Sequence, residues 1–283
     1  MKITSTSEFV LETTVLKDAF ASIGKGTATQ LLKKGLLLRF KKEIPQAIEV
    51  TEKALGQFLK QKNVLGQAFC AIELAWLYGV QHELGTSQEY FEKSELLIQA
   101  EQSPAMVEAK TRLLHYKGLL LYQQGDYGQA MKYFKQALLD CEADGLESAK
   151  IYDSLGVHYE RTGDFHRAVR YLRHSLYIKR QYEDVLYEEA ITCQILGRLY
   201  LIYEEFELAL VHLERSLEIS QILKDEKRKA AIKVELIRLY LRCGRENEAR
   251  ALIYDARHEC ELRHFHVQLA FTHFYEAYLH YQQ

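Results

Sequence analysis

The chain has 283 residues, 48% of them hydrophobic and 27% charged, which is too apolar a mixture for a disordered protein. A formal charge of −2 excludes a protein coated in basic charge for nucleic acid, while leaving room for a local patch. Fifteen Gly and two Pro are too few turn residues for a long all-β chain, and no apolar run approaches the ~18 residues of a membrane span.

Helices are therefore the expected element. Residues 7–23 carry Phe9, Leu11, Val15, Leu16, Phe20 and Ile23 at helical spacing, after a Thr-Ser-Thr-Ser cap. Glu8, Glu12 and Asp18 inside this pattern rule out a signal peptide. Gly24-Lys25-Gly26 ends the helix, so residues 1–26 are read as an N-terminal cap over an array spanning 27–283.

Within the array one phrase recurs. "GDYGQAMKYFKQAL" begins at Gly125 and "GDFHRAVRYLRHSL" at Gly163. Anchors Gly35, Ala75, Gly118, Gly156, Gly197, Ile237 and Ala277 follow one another at intervals of 38 to 43 residues. Twelve residues after an anchor stands Ala47, Ser87, Ala130, Ala168, Ala209 or Ala249; nineteen after it, Ala54, Ser94, Ala137, Ser175, Ser216 or Ala256. These small residues let two helices approach, and the residue at offset sixteen (Thr51, Phe91, Phe134, Leu172, Leu213, Ile253) fills the space between them. A large residue, Tyr in four repeats, sits three past the anchor. Gly-Asp at 125–126 and 163–164 supplies a left-handed stop followed by an N-cap. Pro45 fits a first helical turn, and Ser103-Pro104 fits an N-cap and N1. At Glu204-Glu205 the Gly-Asp is missing, so a turn is expected there with poorer termination.

The last segment, "HFYEAYLHYQQ", aligns with "LHYKGLLLYQQ" of residues 114–124 but lacks the second helix that follows there. Its Phe271, Phe274, Tyr278 and Tyr281 make it too apolar for a solvated end. Two expectations follow: the chain is the N-terminal part of a longer protein, or this unpaired helix caps the array or associates with itself in a homodimer.

These residues resemble the tetratricopeptide repeat (TPR) family: a small anchor, Tyr three later, a Gly-Asp-aromatic turn, then Ala, Phe or Leu, and Ala or Ser. The resemblance covers about residues 27–283 and is strongest over 113–217. The chain departs from the family in a period several residues above the usual 34 and in having no closing Pro. Such long repeats are similar to the TPR modules of kinesin light chains and of bacterial peptide-sensing regulators. The resemblance implies an all-α, TPR-like α-solenoid, a right-handed superhelix of six antiparallel helix pairs plus a final unpaired helix.

It also implies a concave inner side lined by the first helix of each pair. The positions this assigns to the inner side include Arg39, Trp76, Arg112, His115, Tyr122, Lys150, Arg161, Gln194, Arg198, Arg238 and Arg242, with Phe271, Phe274, Tyr278 and Tyr281 on the last helix. Leu32, Leu36, Phe69 and Ile72 fall on the same side. Seven cations stand there against two acids, Asp153 and Glu160, so a basic, aromatic-bearing groove is expected to bind a protein or peptide with acidic and apolar side chains. No Asn occupies these positions, which sets the chain apart from the TPR subclass that clamps a C-terminal carboxylate.

No catalytic arrangement stands out. "GKGT" at Gly24 lacks phosphate-loop spacing and follows a helix. "RHECELRHFH" gathers His258, Cys260, His264 and His266, but it crosses a helix junction and gives no metal-ligand geometry. "KDEKRKA" at 224–230 reads as a solvated turn. The five Cys are scattered, odd in number and free of C-x-x-C, which suits reduced thiols in a cytoplasmic protein. The expectation is a non-catalytic scaffold with no cofactor, metal, membrane or nucleic-acid partner. The alternatives are a sensory module acting on a C-terminal output domain, and a scaffold that self-assembles through its last helix.

Overall fold

The computed structural model describes residues 23–281 apart from Lys25, Gln102, 142–144 and 183–184. The expected N-terminal capping helix lies outside the described residues except for Ile23. That residue is buried in the first hydrophobic cluster, and its carbonyl accepts a hydrogen bond from Asn63 Nδ2 at 3.0 Å.

Among the described residues there are thirteen α-helices and no strand. They are α1 (Thr27–Phe40), α2 (Ile44–Lys60), α3 (Val64–Val80), α4 (Leu84–Ala100), α5 (Pro104–Gln123), α6 (Tyr127–Asp140) and α7 (Leu146–Arg161), followed by α8 (Phe165–Lys179), α9 (Leu186–Ile202), α10 (Phe206–Ile222), α11 (Glu226–Arg242), α12 (Glu246–Leu262) and α13 (His266–Tyr281). They fall into two compact units that part within α7, between His158 and Tyr159.

In the unit ending at His158, α1 packs on α2, α3 on α4 and α5 on α6. The anchors do what their size predicts. A Cβ at Gly118 would lie 2.6 Å from the ring of Phe134, the residue sixteen positions later. Ala47, Ala54, Ser87, Ser94, Ala130 and Ala137, at offsets twelve and nineteen, are all buried. Phe58, Phe69, Phe91 and Leu120 fill the space that these small residues leave, each buried large side chain contributing about 1.5–3 kcal/mol.

In the unit beginning at Tyr159 the same rules hold. A Cβ at Gly197 would meet Leu213 Cγ at 2.6 Å, and Ala209, Ser216, Ala249 and Ala256 are fully buried. Tyr159 stacks on Tyr171 with centroids 5.5 Å apart, and Tyr200 stacks on His212 at 5.6 Å. In the other unit Tyr78 stacks on Tyr90 at 5.7 Å. Each pair joins offset three to offset fifteen, so the recurring Tyr is a face-to-face contact between the two helices of a repeat.

The turn inside each repeat is set by one backbone position. Lys42, His82, Gly125, Gly163, Glu204 and Gly244 stand seven residues past their anchors, and all have φ between 61° and 89°. Three of the six are Gly, the residue without a steric penalty there. Asp126 and Asp164 then accept from Gln129 N and Arg167 N, each at 3.0 Å. Glu205 occupies the same cap position and makes no side-chain cap bond, so the turn at 204–205 forms but lacks both stabilising features. Pro45 lies in the first turn of α2, and Ser103 caps α5 by accepting from Met106 N at 3.3 Å. Cys70, Cys193, Cys243 and Cys260 are free thiols, and no helix among the described residues is long and apolar enough to cross a membrane.

Candidate functional site

In the unit ending at His158, the facing sides of α1, α3, α5 and α7 hold a connected charge network. Arg39 Nε lies 3.1 Å from Glu73 Oε1, and its Nη1 donates to the Tyr116 hydroxyl at 2.6 Å. The Tyr116 ring lies 5.2 Å from that of Trp76. Arg112 Nη2 reaches Glu147 Oε1 at 2.8 Å and Glu108 Oε1 at 3.2 Å, and the guanidinium sits 5.0 Å from the Phe69 ring centroid. Lys150 closes on Glu147 at 2.9 Å. His115 Nε2 shares a hydrogen bond with Ser154 Oγ at 2.8 Å, while its Nδ1 is buried without a partner. Tyr122 meets Tyr127 edge-on at 5.0 Å.

Burial governs the protonation of this network. It pushes the Glu73 carboxyl above its usual range, against the pull of Arg39 and Arg112. Burial would raise Glu147 as well, but Lys150 and Arg112 overcome it and hold the group below the usual carboxylate range. His115 is driven down to about 4, mainly by burial and further by Lys150 and Arg112, so it is neutral at pH 7.

Two residues of the expected groove lie elsewhere than expected. Arg112 is 7% exposed and His115 is 4% exposed, so neither presents a surface to solvent. The physical reason is the set of carboxylates: a cation bracketed by Glu108 and Glu147 is neutralised well enough to be buried. Leu32, Leu36, Phe69 and Ile72 are also buried, within the first hydrophobic cluster together with Ile23. Arg39 and Trp76 are partly buried, as are Tyr122 and Lys150.

In the unit beginning at Tyr159 the cations are more open and again meet acids. Arg198 grips Glu160 with two parallel bonds, Nε to Oε1 at 3.1 Å and Nη2 to Oε2 at 2.9 Å. Arg238 Nη1 lies 3.6 Å from Glu235 Oε2. Burial raises the Glu235 carboxyl, and Arg238 and Arg198 oppose it. Arg242 Nη2 reaches Glu204 Oε1 at 2.5 Å, with the guanidinium over the Phe206 ring. Gln194 Oε1 accepts from Arg228 Nη1 at 3.1 Å, and that guanidinium stacks on Tyr187. Arg161 is exposed at the end of α7, and Phe271, Phe274, Tyr278 and Tyr281 are exposed on α13. Side-chain exposure of Arg198, Arg238 and Arg242 is 40%, 35% and 37%, which leaves each guanidinium reachable.

Glu160 was among the expected inner positions, but Glu73, Glu147, Glu204 and Glu235 were not, because those positions came from the resemblance, which does not mark flanking carboxylates. A signal existed: Glu160 to Arg198 and Glu204 to Arg242 are both 38 residues apart, which joins an acid near the end of one first helix to the first helix of the next repeat. Among the described residues no group of three or more His, Cys, Asp or Glu is arranged to hold a metal ion. His264 and His266 flank the α12–α13 turn, with rings 6.2 Å apart.

The sequence matches the family model described as tetratricopeptide repeat over residues 110–181 and 147–222. No curated protein is detectably similar in sequence. Among solved structures, the apo form of RapI has a TM-score of 0.71 at 18% identity, covering 91% of this chain and 72% of that one. BtubC (BKLC) from P. vanneervenii has a TM-score of 0.65 at 16% identity, covering 85% of this chain and 93% of that one. The Rap conjugation gene regulator of plasmid pLS20, solved with the Phr* peptide, has a TM-score of 0.61 at 19% identity, covering 89% and 74%. At such identities the likeness carries the fold. Residues 110–222 therefore match tetratricopeptide repeats, and the chain has an all-α, TPR-like solenoid fold of antiparallel helix pairs.

Proposed function

We propose that the chain is a non-catalytic scaffold that binds a protein or peptide along the inner faces of its first helices. The observation that carries this reading is the row of half-open Arg–Glu pairs made by α9 and α11. Arg and aromatic side chains are the usual anchors of binding surfaces. A partner carboxylate can exchange with Glu160, Glu235 or Glu204 at a guanidinium already fixed in place, so little side-chain entropy is lost. In the other unit Arg39, Trp76, Tyr122 and Lys150 offer a partly open counterpart, while Arg112 and His115 support it from below. A partner with acidic and apolar side chains fits both units.

The pLS20 Rap regulator was solved with a peptide, and this favours a second, narrower reading in which the ligand is a short peptide and the role regulatory. A peptide library selected against the chain, followed by fluorescence anisotropy, separates the two. Arg198→Ala with Arg238→Ala is expected to weaken the selected ligand ~10-fold or more, with thermal unfolding nearly unchanged. Unchanged affinity at moderate salt removes this face from the proposal.

A further inference from the structure

The last helix carries a surface that the charge pairs do not explain. Val267, Phe271, Phe274, Tyr278 and Tyr281 are spaced four, three, four and three residues apart, the seam of a helix built to pair lengthwise with another. Their exposures are 64%, 48%, 61%, 44% and 92%. The opposite side of α13 is already used: Thr272 and Leu279 are buried, and Tyr275 and Leu279 pack with Ile237, Ile253 and Ala256. One repeat earlier, the corresponding positions of α11 are Lys227, Ala231, Val234, Arg238 and Leu241. The cations of that series have been replaced by Val and Tyr on α13, and Ala231 and Val234 by Phe.

We propose that this stripe pairs with the same stripe of a second copy of the chain, in a twofold helix-to-helix interface. Three features fit a second copy. First, the surface is neutral. Glu276 is the sole acidic residue of α13, which has no Lys or Arg, and it is turned away to accept from Arg257 Nη1 at 2.8 Å on both oxygens. Two identical faces therefore meet without opposing like charges, as an isologous contact requires. Second, Ala270 and Ala277 border the stripe and are exposed, so two backbones can approach until the aromatic rings interdigitate. Third, the area suffices. Aromatic side chains bury about 150–250 Å² each, so the open fractions of these four amount to roughly 500 Å² per copy. With Val267 and the two alanines, pairing removes roughly 1,000–1,300 Å² in total, which reaches the ~1,000 Å² of a specific interface.

The test is sedimentation equilibrium of the whole chain from about 1 to about 100 µM, a range that brackets micromolar association. The expected result is a mass rising toward twice the 33.0 kDa of one chain. Phe274→Asp is expected to weaken that dimer at least ~10-fold, because it places a charge opposite its own copy at the centre of the seam. Tyr254→Asp, at an exposed ring on α12, is the control and leaves the dimer intact. Circular dichroism of both variants confirms that they are folded. A mass of 33.0 kDa at every concentration overturns the proposal and leaves the stripe to a foreign partner. A dimer that survives Phe274→Asp overturns it too, since the contact then lies elsewhere.

Discussion

At the residue scale, much of the chemistry of this chain is the management of buried charge. Arg112 is stabilised inside the protein by Glu108 and Glu147 together, and removing either acid leaves a cation with half its compensation. His115 is the complementary case: a base buried neutral, with its titration moved from the usual 6.5 down to about 4. The unfolded chain binds a proton at His115 between those two values and the folded chain does not. Stability from this group is thus complete above about pH 6.5 and is lost as pH falls through the window toward about 4. His212, also held at about 4 by burial with Arg180 and Arg173 nearby, acts in the same window. Replacing His115 by Gln removes one of the two titrations and keeps a donor for Ser154. The slope of unfolding free energy against pH between about 4.5 and 6 is expected to fall by up to ~1.4 kcal/mol per pH unit. Denaturant titrations at closely spaced pH values check this, and an unchanged slope would show that His115 is not buried neutral.

At the element scale, helices of nearly constant length are held in register by their turns. The left-handed position seven residues past each anchor is Gly in three repeats but Lys42, His82 and Glu204 in the others. A non-Gly residue there costs on the order of 1 kcal/mol. At 204–205 the missing N-cap bond adds a comparable loss. The double change Glu204→Gly with Glu205→Asp recreates the Gly-Asp of the repeats at 125 and 163. It is expected to stabilise the chain by about 1–2 kcal/mol, visible as a raised Tm. The loss of the Glu204 carboxylate also frees Arg242, so ligand affinity measured on the same variant reports whether that cation is used in binding.

At the scale of the whole molecule, stability is distributed within each unit among helices adjacent in the chain, which pack chiefly on one another. Cutting Leu213 to Ala opens a cavity beside Gly197 and should cost about 2–5 kcal/mol. Hydrogen exchange is expected to quicken in α9–α12 while α1–α4 keep their protection. Equal loss of protection along the whole chain would mean that the repeats unfold as one block.

The sequence alone determined the helical class, the forty-residue period, the small-residue contacts and the position of each turn inside a repeat. These follow from interactions within one helix pair, between residues three to about twenty apart, where size and backbone freedom leave few solutions. Gly118 against Phe134 and Gly197 against Leu213 are of this kind. Only the tertiary structure decided which cations stay open. Arg112 and Arg198 both fall on the expected inner side, yet one is buried by acids from two helices and the other stands at the surface. That difference depends on carboxylates brought in from neighbouring repeats, 35 and 38 residues away. The worth of a charge is set by what surrounds it in space, and a local pattern does not contain that information.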